Sequence, residues 1–464
     1  MSKRPHKSTL RTTIRTHRDN TIVVPDKVPL RRSAQRLQTF ADAQESPVAF
    51  SHSFPGFFVP EVGYLLNQLL EERYGFNLQQ GTSGPCPEPP RTIVVNLDYG
   101  ESTTIPWGRM DLPDFGDDSY IEFHTDHNNI PCISGSIWAK YEDDLNNLID
   151  ELRLRLTQRS IYQGKAITVD FSWAYDDREE YDPNKHEPQF LQPTFADRSE
   201  LIFSSRIRTL LDAHIFGPIE YSSEYANAGL LRKTGVLLAG PYGCGKTLTC
   251  SVVANLCIRN SWTFILVEDP SHLVKVLELA RRLTPCVIFC EDIDTVIKGS
   301  TDADRTQLHN DILNSLDSVG NKSDHLMCIF TTNQPEAIHP AFLRPGRIDN
   351  LIPIEPPDAE AAAQLAVRIA EIDADPTDIG NVLAGHIPAT IRAIVTRASA
   401  FTMRENGRPR PITLDELVAA RDSYLEHARL CEPRRQEKVP DLVKAARIIA
   451  DALRPITEED TISV

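Results

Sequence analysis

The sequence predicts an α/β fold, a parallel sheet flanked by helices, with an α+β region ahead of it and a helical region behind. Three stretches predict it. Val236–Ala239 is an apolar run that feeds a glycine-rich turn and then the helix-compatible TLTCSVVANLCIR. Cys286–Cys290 is a second apolar run, ending in Glu291 and Asp292, and Cys328–Thr332 is a third, ending in Asn333. Short unbroken apolar runs suit strands buried on both faces, and their alternation with helical patterns suits parallel pairing.

The turn after Ala239 reads Gly240-Pro241-Tyr242-Gly243-Cys244-Gly245-Lys246-Thr247, which fits G-x-x-x-x-G-K-[ST]. Glycines let successive backbone N–H groups turn inward as an anion nest, and the following helix directs its positive end at the same place. Lys246 supplies a mobile charge for the β/γ-phosphates, and the Thr247 hydroxyl suits Mg²⁺. Residues Gly240 to Thr247, with Leu248 beside them, are the candidate nucleotide contacts, so the pattern implies ATP and Mg²⁺ as ligands.

The 464 residues allow two or three domains, and 41% hydrophobic with 25% charged residues is ordinary for a globular chain with a core. No run approaches the ~18–20 apolar residues of a membrane span, so no membrane association is expected. Nine cysteines without C-x-x-C pairs suggest a reducing compartment, and the cytoplasm is the expected location. Net charge is −16, unevenly spread: residues 1–37 hold ten Lys/Arg against two Asp, a local +8, and the remainder carries −24. The acidic body argues against nucleic-acid binding, while the basic tail, whose first eighteen residues hold no acid, leaves a targeting segment and a docking or nucleic-acid arm open.

In chain order, residues 1–50 are polar and weakly patterned, as in a disordered basic tail. Residues 55–190 read as an α+β domain for a substrate or partner. Its helices are expected at Val59–Arg73 and Asp143–Leu156, and its strands at Thr92–Leu97, Thr103–Leu112, Tyr120–His124, Ile133–Tyr141 and Ala166–Trp173. His124 and His127 flank Asp126 in HTDHN, but no third ligand stands at a telling spacing, so they read as loop histidines. An acidic, proline-bearing linker at 174–195 precedes an α/β core at 195–357. A helical region at 358–454 follows, with helices at Asp358–Ile372, Ala389–Met403, Leu414–Leu430 and Asp441–Leu453. Thr413 and Glu416 form a capping box for the third.

Glu291 and Asp292 have the residue types that orient Mg²⁺ and polarise an attacking water, in that order. Asn333 suits the holding of that water. Arg344 and Arg347, flanking Pro345-Gly346, suit the neutralising of charge on a transferring phosphoryl group.

Together GPYGCGKT, IFCEDID and TTNQPEAIHPAFLRPGRID resemble the AAA family of AAA+ ATPases, over about residues 195–430. The resemblance implies a P-loop NTPase core with a helical lid, and a homo-oligomeric ring, often a hexamer, with ATP at subunit interfaces. It also implies Asn333 as first sensor, Arg344 and Arg347 as fingers reaching the neighbour, and Ala389 where other branches carry a sensor arginine. The sequence departs from the family at three points. The acids read Glu-Asp where most members read Asp-Glu. The interval EDPSHLVKVLELARRLTP lacks the aromatic-hydrophobic-Gly loop of threading members. The usual Ile-Gly-Gly entry is absent, with FADRSELIF near its place. The acid order and short interval are similar to those of the mitochondrial Rieske-protein translocase branch and of small actinobacterial or phage AAA proteins; the latter likeness implies a bacterial cytoplasm, or that of the host for a phage-encoded chain. The resemblance implies an ATP-hydrolysing remodeller of a protein partner held by residues 55–190. A nucleic-acid-associated phage or bacterial ATPase, and a slow nucleotide-gated scaffold, are the alternatives.

Overall fold

The computed structural model describes residues 12–15, 21–24, 35, 38–39, 43–75, 91–171, 187–192, 196–230, 234–297, 303–318, 325–408 and 410–431. It divides into two compact units, one of residues 1–201, 209–240 and 246–353, the other of 202–208, 241–245 and 354–464.

The first unit opens with β1 (Thr12–Arg15) and β2 (Thr21–Val24), paired antiparallel, and β3 (Pro47–Ser53). These strands fall within, or across the end of, the stretch 1–50 that was expected to be a disordered tail. β3 is an edge strand whose residues are mostly exposed, so no apolar alternation marks it in the sequence. After it come β4 (Thr92–Asp98), β5 (Glu101–Pro106), β6 (Gly108–Asp111), β7 (Tyr120–Thr125) and β8 (Pro131–Trp138). β3, β8, β7 and β6 form a four-stranded antiparallel sheet in that order, and β4 with β5 forms a hairpin.

Two helices, Val59–Tyr74 and Glu142–Gln158, pack on one another and share a core with these strands. The second begins with Glu142, Asp143 and Asp144, which complement the positive end of its dipole. Leu145, Leu148, Ile149, Leu152 and Leu156 then recur at helical spacing, each at most 2% exposed. Burial of each is worth about 2 kcal/mol. Arg155 ties the helices at their rims, donating to Glu72 across the pair and to Glu151 on its own helix at 2.6 Å each.

The main sheet of this unit has seven strands. They are β9 (Ala166–Thr168), β10 (Gln189–Phe190), β11 (Thr234–Ala239), β12 (Thr263–Val267), β13 (Cys286–Cys290), β14 (Leu326–Thr332) and β15 (Asn350–Pro353), in the order β10-β9-β12-β13-β14-β11-β15. All neighbours are parallel except β10 and β9. This is the predicted α/β class. β13 and β14 are buried along their whole length, which is why β13, and β14 as far as Phe330, read as unbroken apolar runs. Helices Lys246–Arg259, Leu273–Arg282 and Ala303–Ser318 flank the sheet. The strand expected to close the N-terminal domain at Ala166–Trp173 is the short β9, and it pairs with β12 in this sheet instead.

The second unit holds helices Ala359–Ile369, Pro376–Leu383, Pro388–Asn406 and Leu414–Cys431 around a small core that includes Ile379, Ile391 and Leu417. Pro376–Leu383 was not anticipated, although Asp375 caps it by accepting from Thr377 N at 2.8 Å. The capping box forms as read: Glu416 accepts from Thr413 N at 2.9 Å, and Glu416 N donates to Thr413 Oγ1 at 3.4 Å. The helix expected at 441–453 lies outside the described residues. Among the described residues, no helix is long and apolar enough to cross a membrane.

Candidate functional site

Parallel strands β13, β14 and β11 are neighbours, so their carboxyl ends lie together, where parallel α/β sheets place their ligands. β11 runs into the glycine-rich loop, β13 into Glu291 and Asp292, and β14 into Asn333. Residues far apart in sequence therefore meet.

Lys246 is only 8% exposed. Its Nζ donates to Gly240 O at 2.6 Å and to Asn333 Oδ1 at 2.7 Å. Asn333 in turn donates from Nδ2 to Asp292 Oδ1 at 2.7 Å. Thr247 Oγ1 donates to Glu291 Oε1 at 3.1 Å. Two pairings follow. Glu291 shares a point with the hydroxyl suited to Mg²⁺, and Asp292 shares one with the amide suited to holding water. A register shifted by one residue would put the buried Ile293 beside Asn333, and no proton acceptor would remain there.

The loop geometry explains its glycines. Gly243 and Gly245 have φ of 76° and 101°, the left-handed region that side chains disfavour. Within the second unit, a Cβ on Gly243 would sit 3.1 Å from Ala389 Cβ and 3.3 Å from Ile387 Cδ1. The small residue at 389 is thus packed against the loop. Cys244 is buried at 1%, whereas Tyr242 and Leu248 are 69% and 37% exposed.

The two arginines separate. Arg347 is engaged by its own chain: Nε and Nη2 meet Asp317 at 2.7 and 2.5 Å, and Nη1 donates to Ala341 O at 2.7 Å. Its side chain is 14% exposed. Arg344 is exposed, with its side chain unpaired among the described residues. Asp317 has no signature in the sequence, because the pairing spans thirty residues and depends on how the loop folds back.

The turn after β13 holds residues that sequence reasoning missed. Asp292 N–H donates to Thr331 Oγ1 at 2.9 Å, and the nearly buried Asp294 accepts from Thr332 Oγ1 at 3.1 Å. The threonines stand just before Asn333, and that adjacency is the only signal that could have drawn attention to them.

Seven described cysteines are free and buried. Burial pushes the thiols of Cys250, Cys257, Cys286 and Cys290 well up, so they stay protonated. In HTDHN, Asp126 Oδ1 accepts from Asn128 N at 2.8 Å and Ile130 N at 2.9 Å, shaping the β7–β8 turn. Among the described residues no group of three or more His, Cys, Asp or Glu is placed to hold a metal. Mg²⁺ in a phosphate site needs fewer, because water and phosphate oxygens complete its shell.

A buried strand, a glycine loop capped by Lys246 and Thr247, and acids at the end of a second parallel strand of the same sheet define a P-loop nucleoside triphosphatase fold. Residues 236–356, from β11 to just beyond β15, match the family model of the ATPase family associated with various cellular activities (AAA). Over these residues the chain is thus similar to a domain type that binds ATP, typically with Mg²⁺, and generally hydrolyses it.

Proposed function

We propose that this chain is a subunit of a ring-forming ATPase that couples ATP hydrolysis to remodelling of a protein partner recruited through residues 55–190. The observation that carries the reading is the double pairing, Thr247 with Glu291 and Lys246 through Asn333 with Asp292. In this reading the backbone amides of 242–248 and Lys246 hold the phosphates. Thr247 and Glu291 offer two hard oxygens 3.1 Å apart, which suits Mg²⁺. The bound ion would neutralise charge on the β- and γ-phosphate oxygens. Asn333 orients the attacking water, and Asp292 accepts its proton. Arg344 extends from an adjacent subunit toward the transferred group, while Arg347 and Asp317 fix the shape of the loop that carries it. A hexamer is the assembly that the AAA resemblance favours.

The remodelling half rests on how residues 55–190 meet the ATPase sheet. Arg282, at the end of the helix leading to β13, lies 4.4 Å from the Phe57 ring centroid. Glu61, 1% exposed, neighbours the same guanidinium electrostatically. A partner that shifts the N-terminal helix thus pulls on the element directly before the acids. The interval 268–285 contains only a 3₁₀ turn at Pro270–His272 and the helix Leu273–Arg282. That brevity favours remodelling without threading, as in the translocase branch noted above.

Steady-state ATP hydrolysis against protein concentration tests the reading. Specific activity should climb with concentration as subunits assemble and vanish in Lys246→Ala. Activity independent of concentration across the assembly range would remove the shared site.

A further inference from the structure

Asp292 carries a backbone conformation that is uncommon outside glycine. Its φ is +46°, and it is one of only four non-glycine residues with positive φ among those described. Such a conformation persists where neighbouring groups over-determine it. Here the neighbours all come from the end of β14 or from the turn itself. Asp292 N–H donates to Thr331 Oγ1 at 2.9 Å, and Ile293 N–H donates to Thr331 O at 3.0 Å. Thr295 N–H donates to Asp292 O at 2.9 Å. The side chain is then taken by Asn333 Nδ2 at 2.7 Å.

We propose that Thr331 is a positioning residue for Asp292, its hydroxyl holding the left-handed turn that brings a short carboxylate to Asn333. Aspartate is one methylene shorter than the glutamate that most of the family carries there, so backbone direction substitutes for side-chain reach. Thr331 is itself 2% exposed on a fully buried strand, so the hydroxyl is fixed by packing. The assignment rests on the role of Asp292 given above, and it adds a residue that does not touch the nucleotide.

The test compares Thr331→Val, which keeps shape and loses the hydroxyl, with Thr331→Ser, which keeps the hydroxyl. Val should lower kcat roughly 10- to 100-fold, less than the ~10²–10⁴ that a positioned base contributes because the base is misplaced rather than removed, with ATP affinity unchanged. Ser should retain most turnover. Asp292→Glu should be impaired alone, because the longer side chain overshoots, yet should raise turnover when added to Thr331→Val. Hydrogen exchange of a peptide spanning 290–296 supplies a readout independent of turnover, faster in Val and unchanged in Ser. Wild-type turnover in Thr331→Val, equal losses in Val and Ser, or ATP affinity falling in step with kcat would each overturn the assignment. A wild-type protein without turnover would refute the proposed function, and the exchange measurement would still decide whether Thr331 holds the turn.

Discussion

Gly235→Ala is a perturbation whose size can be worked from geometry. Gly235 lies in β11, and its backbone conformation is one that any residue adopts. Space is the constraint. A Cβ there would lie 1.8 Å from Arg347 O, 2.8 Å from Arg347 C and 2.9 Å from Ile348 Cα. These are backbone atoms that no rotamer change can move aside. Restoring an ordinary contact of about 3.4 Å requires the strand and the arginine-bearing segment to separate by about 1.6 Å. The Asp349 N–H to Gly235 O bond, at 2.9 Å, would not survive that separation. Loss of the bond costs about 1 kcal/mol and overpacking about 1–3, for a total of about 2–4 kcal/mol. At ~2–4 °C per kcal/mol for a domain of this size, Tm should fall by roughly 5–15 °C in differential scanning calorimetry. Gly346→Ala is the control: its φ is 91° but nothing lies within 4 Å of its Cβ position, so only the backbone term of about 1–2 kcal/mol applies. Turnover should drop further in Gly235→Ala than Tm alone explains, because Arg347 and its loop are displaced. A Gly235→Ala protein melting within 1 °C of wild type would refute the reasoning.

Two further outcomes follow from the same packing. Arg344→Ala should leave Tm unchanged and remove most turnover. Arg347→Ala should lower stability by about 1 kcal/mol or less, since Asp317 is half exposed, while also impairing turnover through loop disorder. Urea melts paired with hydrolysis rates would separate the two roles. Burial holds the Glu61 carboxyl above the usual carboxylate range, against the opposing pulls of Ser160, Arg282 and the Phe58 amide. A raised native pKa means that the folded state binds more protons than the unfolded state above about 4.5. Stability should therefore decline as pH rises through that window, and Glu61→Gln should flatten the decline in melts between pH 4.5 and 8.

How much of this was legible in the sequence differs by element, for physical reasons. The nucleotide loop and the strands β11, β13 and β14 were readable, because phosphate binding demands glycines and doubly buried strands demand unbroken apolar runs. The helix at 142–158 was readable because its leucines mark one face. β3 was not, since an exposed edge strand needs no alternation, and of β9 only the presence of a strand was readable, since three residues carry too little pattern to fix its length or its partners. β9 also pairs with β12, about a hundred residues downstream, so proximity in sequence pointed to the wrong sheet. At the site, residue types identified Lys246, Thr247, Glu291, Asp292 and Asn333 as candidates. The engagement of Arg347 by Asp317 and the support of Asp292 by Thr331 arise from the loop and turn folding against distant segments, which no local pattern encodes.

The most direct test of the shared site mixes two inactive proteins. Lys246→Ala subunits lack the phosphate-binding cation and retain Arg344, whereas Arg344→Ala subunits lack the exposed arginine and retain Lys246. Combined at equal concentration, they should recover a measurable fraction of wild-type ATP hydrolysis, because each intact half can meet the other across an interface. Mixtures that stay as inactive as either protein alone, under conditions where the subunits demonstrably co-assemble, would contradict the account.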